Sequence, residues 1–371
     1  PVRRFDVAAV EVPAPMLGRR SGRVFATADA ADEVAAGSRE PEPLVLRVTV
    51  GDCVEVALEN RLPDARASFR TDLLAADPAV SAGVAAGRMP DQSVPPGAVR
   101  TYRFHASPEV GETVAVVRDG ADVLGNVSRG MYGAIVVAPA GSTFHDPVDG
   151  RELGARSSWR ADVRPPDAAP YRDAVLVLHD EDEAIGSHRM PYTEDVDGAV
   201  AVNYRSEPLR GRSIAAAVGD GPATPVIDAV AGDEVVLHVV APWSQQVQVF
   251  SVEGHRWVEE PSPAGEPVPA DAPRLSSRRV GGLQALTLRL EHGAGGLERL
   301  PGDYLYGNHR VPYQEAGAWG VLRVHPRAGD GLRSLKAGRG ALATAALGAV
   351  ALLPVALWWR RRRRAASAAA S

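Results

Sequence analysis

The chain has 371 residues, too many for one compact core and enough for two domains with extra segments. It carries 41 basic and 46 acidic residues, but five of the bases form one block, Arg360 to Arg364. Without that block 36 bases face 46 acids, a balance near −10 that excludes a nucleic-acid footprint. The single cysteine, Cys53, excludes an intramolecular disulfide framework.

The chain opens Pro1-Val2-Arg3-Arg4-Phe5, with no apolar stretch in the first twenty residues. The C-terminal sequence leads us to expect the preceding residues outside the cytoplasm, and export needs a signal, so the start is expected to be a processed or trimmed one. Thirty prolines and 37 glycines then punctuate short runs rich in Val, Leu and Ile, such as Leu44 to Val50 and Val235 to Val240. This is the rhythm of strands joined by turns, and it predicts an all-β chain with few, short helices. Cys53 lies in the strand-like run Asp52 to Leu58 and reads as a buried small apolar residue rather than a reactive thiol.

An internal repeat organises the middle of the chain. GMYGAIVVAP (130–139) and GAWGVLRVHP (317–326) share the pattern G-x-aromatic-G-x-aliphatic-x-V-x-P at a separation of 187 residues. VGDCVEVALEN (50–60) matches AGDEVVLHVVA (231–241), with Gly51 and Gly232 181 residues apart. Two matches at nearly one offset predict a duplicated β-sandwich, one copy over about 40–140 and the other over about 205–326. In domain terms, residues 1–140 form the first unit and 205–326 the second, with 141–204 a linker and lead-in to the second copy. That segment holds Pro165-Pro166, a strand at Ala174 to Leu178 and the acidic run Asp180 to Glu183.

Three smaller signals fall inside these units. Asn126-Val127-Ser128 fits the N-glycosylation pattern, relevant only in a host that glycosylates exported proteins. His179 and the acidic run through Glu183, with His188 nearby, are donors a divalent cation accepts, but the stretch reads first as a solvated acidic loop. No glycine-rich loop opens a helix as phosphate binding requires, and no nucleophile, base and orienting acid stand out together.

After a juxtamembrane linker (327–339), residues Gly340 to Trp359 form an uncharged stretch of twenty, long enough to cross the roughly 30 Å hydrocarbon core as one helix. Pro354 is tolerable there, and Trp358 and Trp359 suit the interface. The basic tail (360–371) opens with five arginines, which read as a stop-transfer signal rather than a nucleic-acid patch and belong on the cytoplasmic side. The expectation is a single-pass cell-membrane protein, its N-terminal domains outside and its C-terminus cytoplasmic.

Several phrases resemble the multicopper oxidase family, particularly its hephaestin-like and bacterial metal-oxidising members. They are PLVLRVTVGDCVEVALENRLP (43–63), PDQSVPPGAVRTYRFHASPEVGE (90–112), GMYGAIVVAP, QVFSVEGHRW (248–257) and LPGDYLYGNHRVPYQEAGAWGVLRV (300–324), in the family's order. The resemblance implies two cupredoxin-like Greek-key sandwiches. In that family a type 1 copper takes electrons from substrate and a trinuclear cluster reduces oxygen.

The ligands that chemistry demands are largely missing. A blue copper needs a Cys thiolate and two imidazoles with a weak axial Met, and the cluster needs paired His-x-His segments. At the positions that the resemblance assigns to them stand Gly307, Asn308 and His309, then Tyr313 and Ala318, with Gln248, Ser251 and Glu253 on the companion phrase beside the non-ligand Gly254-His255. In the first copy the paired histidines are replaced by Phe69-Arg70-Thr71 and Val117-Arg118-Asp119, and Cys53 sits in too early a strand to serve as thiolate. Two functional classes follow. One is a non-catalytic binding or structural module with no cofactor expected. The other is a copper oxidoreductase with unusual ligands, His309 and His255 with Glu253, or with a site completed by a protein partner.

Overall fold

The structure, a computed structural model, describes residues 1–84, 86–182, 196, 198–219, 221–259 and 266–327. The first sandwich is built from β1 (Val2–Val12), β2 (Gly22–Thr27), β3 (Leu44–Thr49), β4 (Cys53–Asn60), β5 (Arg70–Thr71), β6 (Val99–His105), β7 (Thr113–Arg118) and β8 (Tyr132–Ala138). One of its sheets runs β2-β1-β4-β6 and the other β3-β8-β7-β5. The second sandwich begins with β9 (Thr143–His145), β10 (Arg160–Arg164), β11 (Tyr171–Asp182), β12 (Gly198–Val202), β13 (Val226–Val230), β14 (Val235–Ser244) and β15 (Gln248–Val252). A small ribbon, β16 (Trp257–Val258) with β17 (Arg274–Leu275), follows, then β18 (Ser277–Val280), β19 (Ala285–Arg289), β20 (Gly302–Asn308) and β21 (Trp319–His325). Its sheets run β19-β14-β11-β10-β9, with β12 also on β11, and β13-β21-β20-β15-β18. Residues 143–202 therefore supply four strands to the second sandwich.

Side-chain periodicity explains the layers. Along β4 the pattern C-V-E-V-A-L-E-N buries Val54, Val56, Leu58 and Asn60 and turns the alternate residues outward. Cys53 is consequently exposed, correcting its reading as a buried residue: the phase set by the three aliphatics leaves it on the outer face, opposite His105. β8 is buried along its whole length, because Met131, Ile135 and Val137 fill the first sandwich while Tyr132, Ala134 and Val136 face the second. β1 divides in the same way, with Phe5, Val7 and Ala9 inward and Ala8, Val10 and Val12 toward its neighbour. The two sandwiches are thus joined through one continuous apolar layer that reaches Val175, Leu237 and Val239.

The two repeated phrases occupy equivalent places. β8 pairs parallel with β3 and antiparallel with β7, as β21 pairs parallel with β13 and antiparallel with β20. Gly130 and Gly317 both adopt φ +111°, each directly after a short helical segment, and so turn the chain into the closing strand. At Gly317 a side chain would also strike the Glu207 amide nitrogen at 2.6 Å. The G-D turns match as well: Asp52 accepts the Thr49 amide at 2.7 Å and Asp233 the Val230 amide at 3.2 Å.

Among the described residues four short α-helices are present, Ala28–Ala35, Val123–Asn126, Ile214–Gly219 and Val311–Glu315, in agreement with the all-β expectation. The span expected at 340–359, the basic tail and nearly all of the juxtamembrane linker lie outside the described residues. Among those described, no helix is long and apolar enough to cross a membrane.

Candidate functional site

The antiparallel pair β15 and β20 sets Phe250 against Asn308 and Ser251 against Gly307, so Gln248 and Asn308 come to the same end of the sheet. Beyond β20, Pro312 near the start of the short helix favours a tight turn that carries Tyr313, and Gly317 returns the chain to Ala318 at the head of β21. Gln248, Asn308, Tyr313 and Ala318 are all buried and all adjacent. The Asn308 side-chain amide donates to Gln248 Oε1 at 3.2 Å, the Asn308 backbone donates to the Ala318 carbonyl at 3.0 Å, and Ala318 donates to the Tyr313 carbonyl at 2.9 Å.

The polar atoms of this cluster are spent on one another and on the backbone. Asn308 Oδ1 accepts from the amides of Val249 (3.2 Å) and Arg310 (3.0 Å). Gln248 Nε2 donates to Asp180 Oδ1 at 2.6 Å, where Asp180 also accepts from the Ser244 hydroxyl and from the amides of Gln245 and Gln246, both at 3.1 Å. Burial pushes the Asp180 carboxyl up, and those four donors pull against it. Burial, reinforced by the nearby Asp180, pushes Tyr313 up to about 12, and the Arg310 guanidinium lies 4.6 Å over its ring.

The first sandwich repeats the arrangement. Asp119, directly after β7, accepts the Ser68 amide at 2.6 Å as Asn308 accepts that of Val249. It also takes the amides of Ala121 and Asp122 and the side chain of Asn126. In both copies a buried acceptor at the end of the penultimate strand, its last residue Asn308 in one and the following Asp119 in the other, ties down the neighbouring segment. Burial raises the Asp119 carboxyl against the pull of these donors.

Two carboxamides, a phenol that stays protonated and a methyl group offer no thiolate and no imidazole. The donor set does not fit a type 1 copper. Around the expected cluster positions, Ser251, Glu253, His255 and His309 line one open groove of about 610 Å³. His309 is exposed, with its backbone amide bonded to the Val249 carbonyl. Both nitrogens of His255 are engaged: Nδ1 donates to the Glu253 carbonyl at 2.7 Å, and Nε2 accepts from the Gly295 amide at 3.0 Å. That pairing fixes a neutral tautomer, and burial lowers its pKa further. His255 thus has no lone pair left for a metal. On the first sandwich, β5 and β7 pair Arg70 with Arg118 and Thr71 with Val117, and the two guanidiniums share Asp72 at 2.7 and 3.3 Å. Phe69 and Val117 are core residues. Among the described residues no three His, Cys, Asp or Glu side chains converge as a metal site.

Two expectations are corrected here. His179 to Asp182 form the end of a strand, not a solvated loop, and His179, Asp180 and Asp182 are buried, because donors from Ser244 to Gln248 and from Tyr313 meet the carboxylates. Glu183 and His188 lie outside the described residues. Asn126 is no accessible glycosylation acceptor in the folded chain, since it is fully buried, with its amide nitrogen donating to the Arg66 carbonyl and Asp119 and its oxygen held by Arg23.

Two packed sandwiches with these strand orders define a two-domain cupredoxin fold. No family model matches the sequence, and no curated protein matches it. Solved structures do match in fold. A multicopper oxidase aligns with a TM-score of 0.55 at 16% identity, covering 87% of this chain and 89% of that one. The copper nitrite reductase of Nitrosomonas europaea gives 0.53 at 18% identity over 88% and 94%, and the multicopper oxidase mgLAC gives 0.53 at 17% over 90% of each. The chain therefore shares the fold of multicopper oxidases and copper nitrite reductases.

Proposed function

We propose that this chain is a membrane-anchored, extracytoplasmic multicopper-oxidase-like protein that uses its two cupredoxin sandwiches as a non-catalytic binding or structural module. The observation that carries this reading is the Asn308–Gln248–Asp180 network, which fills the type 1 position with groups whose hydrogen bonds are mutually satisfied. A thiolate and imidazoles are what tune and hold copper there, and amides do not replace them.

Purified full-length chain, supplied with copper, is expected to oxidise neither phenols nor reduced metal ions faster than free copper does. His309→Ala is expected to leave that background unchanged. Turnover above the control that is lost in His309→Ala would establish the oxidoreductase reading instead. A copper site completed by a partner chain is the second reading, favoured by the exposed His309 imidazole, which lines an open groove that Glu253 also lines. It predicts that activity appears only on adding the partner.

The membrane part of the proposal rests on the uncharged stretch from Gly340 to Trp359 and the arginines after it. Protease treatment of intact cells is expected to destroy residues 1–330 and to spare a tag at the C-terminus. A protected ectodomain would reverse the topology.

A further inference from the structure

The described part of the chain ends at Arg327, whose guanidinium donates to the Ala231 carbonyl at 3.1 Å and to Asp233 at 2.8 Å. The loop between β19 and β20 sits on the same turn. Gly232 donates to the Ala294 carbonyl at 2.8 Å, and Ala294 donates to the Asp233 carbonyl at 2.9 Å. Arg299 lies beside Gly232, where a Cβ would meet its Cδ at 3.0 Å. The end of the second sandwich that the chain leaves is therefore the end that carries this loop.

The loop has a fixed shape and keeps apolar residues in water. The Tyr304 hydroxyl donates to the Leu300 carbonyl at 2.8 Å, and the Gly295 amide to His255 Nε2 at 3.0 Å. The Arg299 amide donates to the Gly296 carbonyl at 3.0 Å, closing a turn with Leu297 and Glu298 at its apex. Arg299 takes φ +51°, a left-handed conformation that costs a non-glycine residue energy and persists where its surroundings impose it. Ala294 is fully buried, yet Leu297 is 65% exposed and Leu300 46%.

Covalent reach brings this face to one partner. Between Arg327 and the uncharged stretch that starts at Gly340 stand the twelve residues 328–339, which span at most about 40 Å even when fully extended. A globule of this length is about 50 Å across, so its far side cannot be the one drawn against a bilayer.

We propose that this face rests on the phospholipid surface, with Leu297 and Leu300 at the level of the head groups and Arg299 on their phosphates. The inference rests on the membrane-anchored reading of residues 340–359. Two leucines are too few to hold a free protein on a membrane, but a tether makes the contact intramolecular, and a weak attraction then suffices. Arginine suits that depth, because its stem lies along apolar surface while its guanidinium reaches phosphate. Asp233 is neutralised by Arg327, and the exposed Glu298 carboxylate keeps the contact shallow, since it resists leaving water.

The test is photocrosslinking of the full-length chain reconstituted in phosphatidylcholine vesicles that contain a phosphatidylcholine with a photoreactive head group, with the modified peptides mapped by mass spectrometry. Crosslinks on the described residues are expected to concentrate at 296–300. Val99 and Val148, which are 63% and 75% exposed, serve as equally accessible apolar controls and are expected to stay unmodified. The double variant Leu297→Ser with Leu300→Ser is expected to lower crosslinking at 296–300 about fivefold while the chain still floats with the vesicles. A chain that floats and resists alkaline extraction but is modified at Val99 or Val148 as much as at 296–300, or equally in the double variant, would overturn the inference and leave the anchor standing. A chain that does not stay with the vesicles would overturn the anchor and the inference together.

Discussion

Replacing Asp173 with leucine is expected to destabilise the chain by about 3–5 kcal/mol, the usual cost of stranding one charge of a buried ion pair. Arg47 on β3 of the first sandwich and Asp173 on β11 of the second are both essentially without solvent contact. The guanidinium grips the carboxylate through two nitrogens, Nη2 to Oδ1 and Nε at 3.3 Å to Oδ2, while Nη1 donates to the Ser158 carbonyl. Without Asp173 the arginine keeps its charge in a region where water does not reach. Arg47→Met should cost a similar amount for the converse reason. The double variant Arg47→Met with Asp173→Leu separates pairing from packing, because an apolar pair of similar size often matches a buried ion pair in stability. Chemical denaturation should therefore show the double variant more stable than either single one. If the single losses simply add, the pair is not coupled.

Acid is expected to weaken the fold well before its carboxylates titrate. His179 is fully buried: its Nδ1 stands 3.2 Å from the Tyr132 hydroxyl, its Nε2 has no hydrogen-bond partner among the described residues, and burial with the nearby positive charge of Arg19 lowers its pKa to about 3. His238, also buried, is lowered to about 4, mainly by burial and partly offset by Asp173. A base whose pKa is depressed on folding binds fewer protons folded than unfolded. Its contribution is therefore absent above the unfolded value near 6.5, and stability is lost as pH falls from there toward the folded value. At pH 5 each histidine should cost about 2 kcal/mol relative to pH 7.5, at about 1.4 kcal/mol per unit. Burial raises Asp119 and Asp180, which act in the opposite direction, so the clean reading is a difference between proteins. His179→Gln should be less sensitive than the unaltered chain by about 2 kcal/mol between pH 7.5 and 5 in denaturant titrations. Identical pH profiles would show that His179 is not the group responsible.

The sequence revealed the scaffold more fully than the site because its strongest signals are local. A glycine at φ +111° with an aromatic residue two positions later leaves the same mark in both copies, and the aliphatic alternation of β4 is written in consecutive residues. The residue types at 308, 313 and 318 already argued against copper. What fills that position instead was hidden, because Asp180 meets its donors from residues 244 to 248 more than sixty positions later. An acidic run without those partners looks solvated. The Arg47–Asp173 pair is equally silent, with its members 126 residues apart in strands that otherwise read as apolar. Asn308 was legible as a missing cysteine but not as the amide that ties down Val249, a role only its alignment with Asp119 exposes.

The central claim, that the second sandwich keeps a cupredoxin frame without a working type 1 centre, is tested most directly by copper analysis together with the visible and electron paramagnetic resonance spectra of the full-length chain after loading and desalting. The account predicts well under one copper per chain and no intense absorption in the visible. One tightly held copper per chain with a blue thiolate-like band, lost on substituting Asn308 or Gln248, would contradict it.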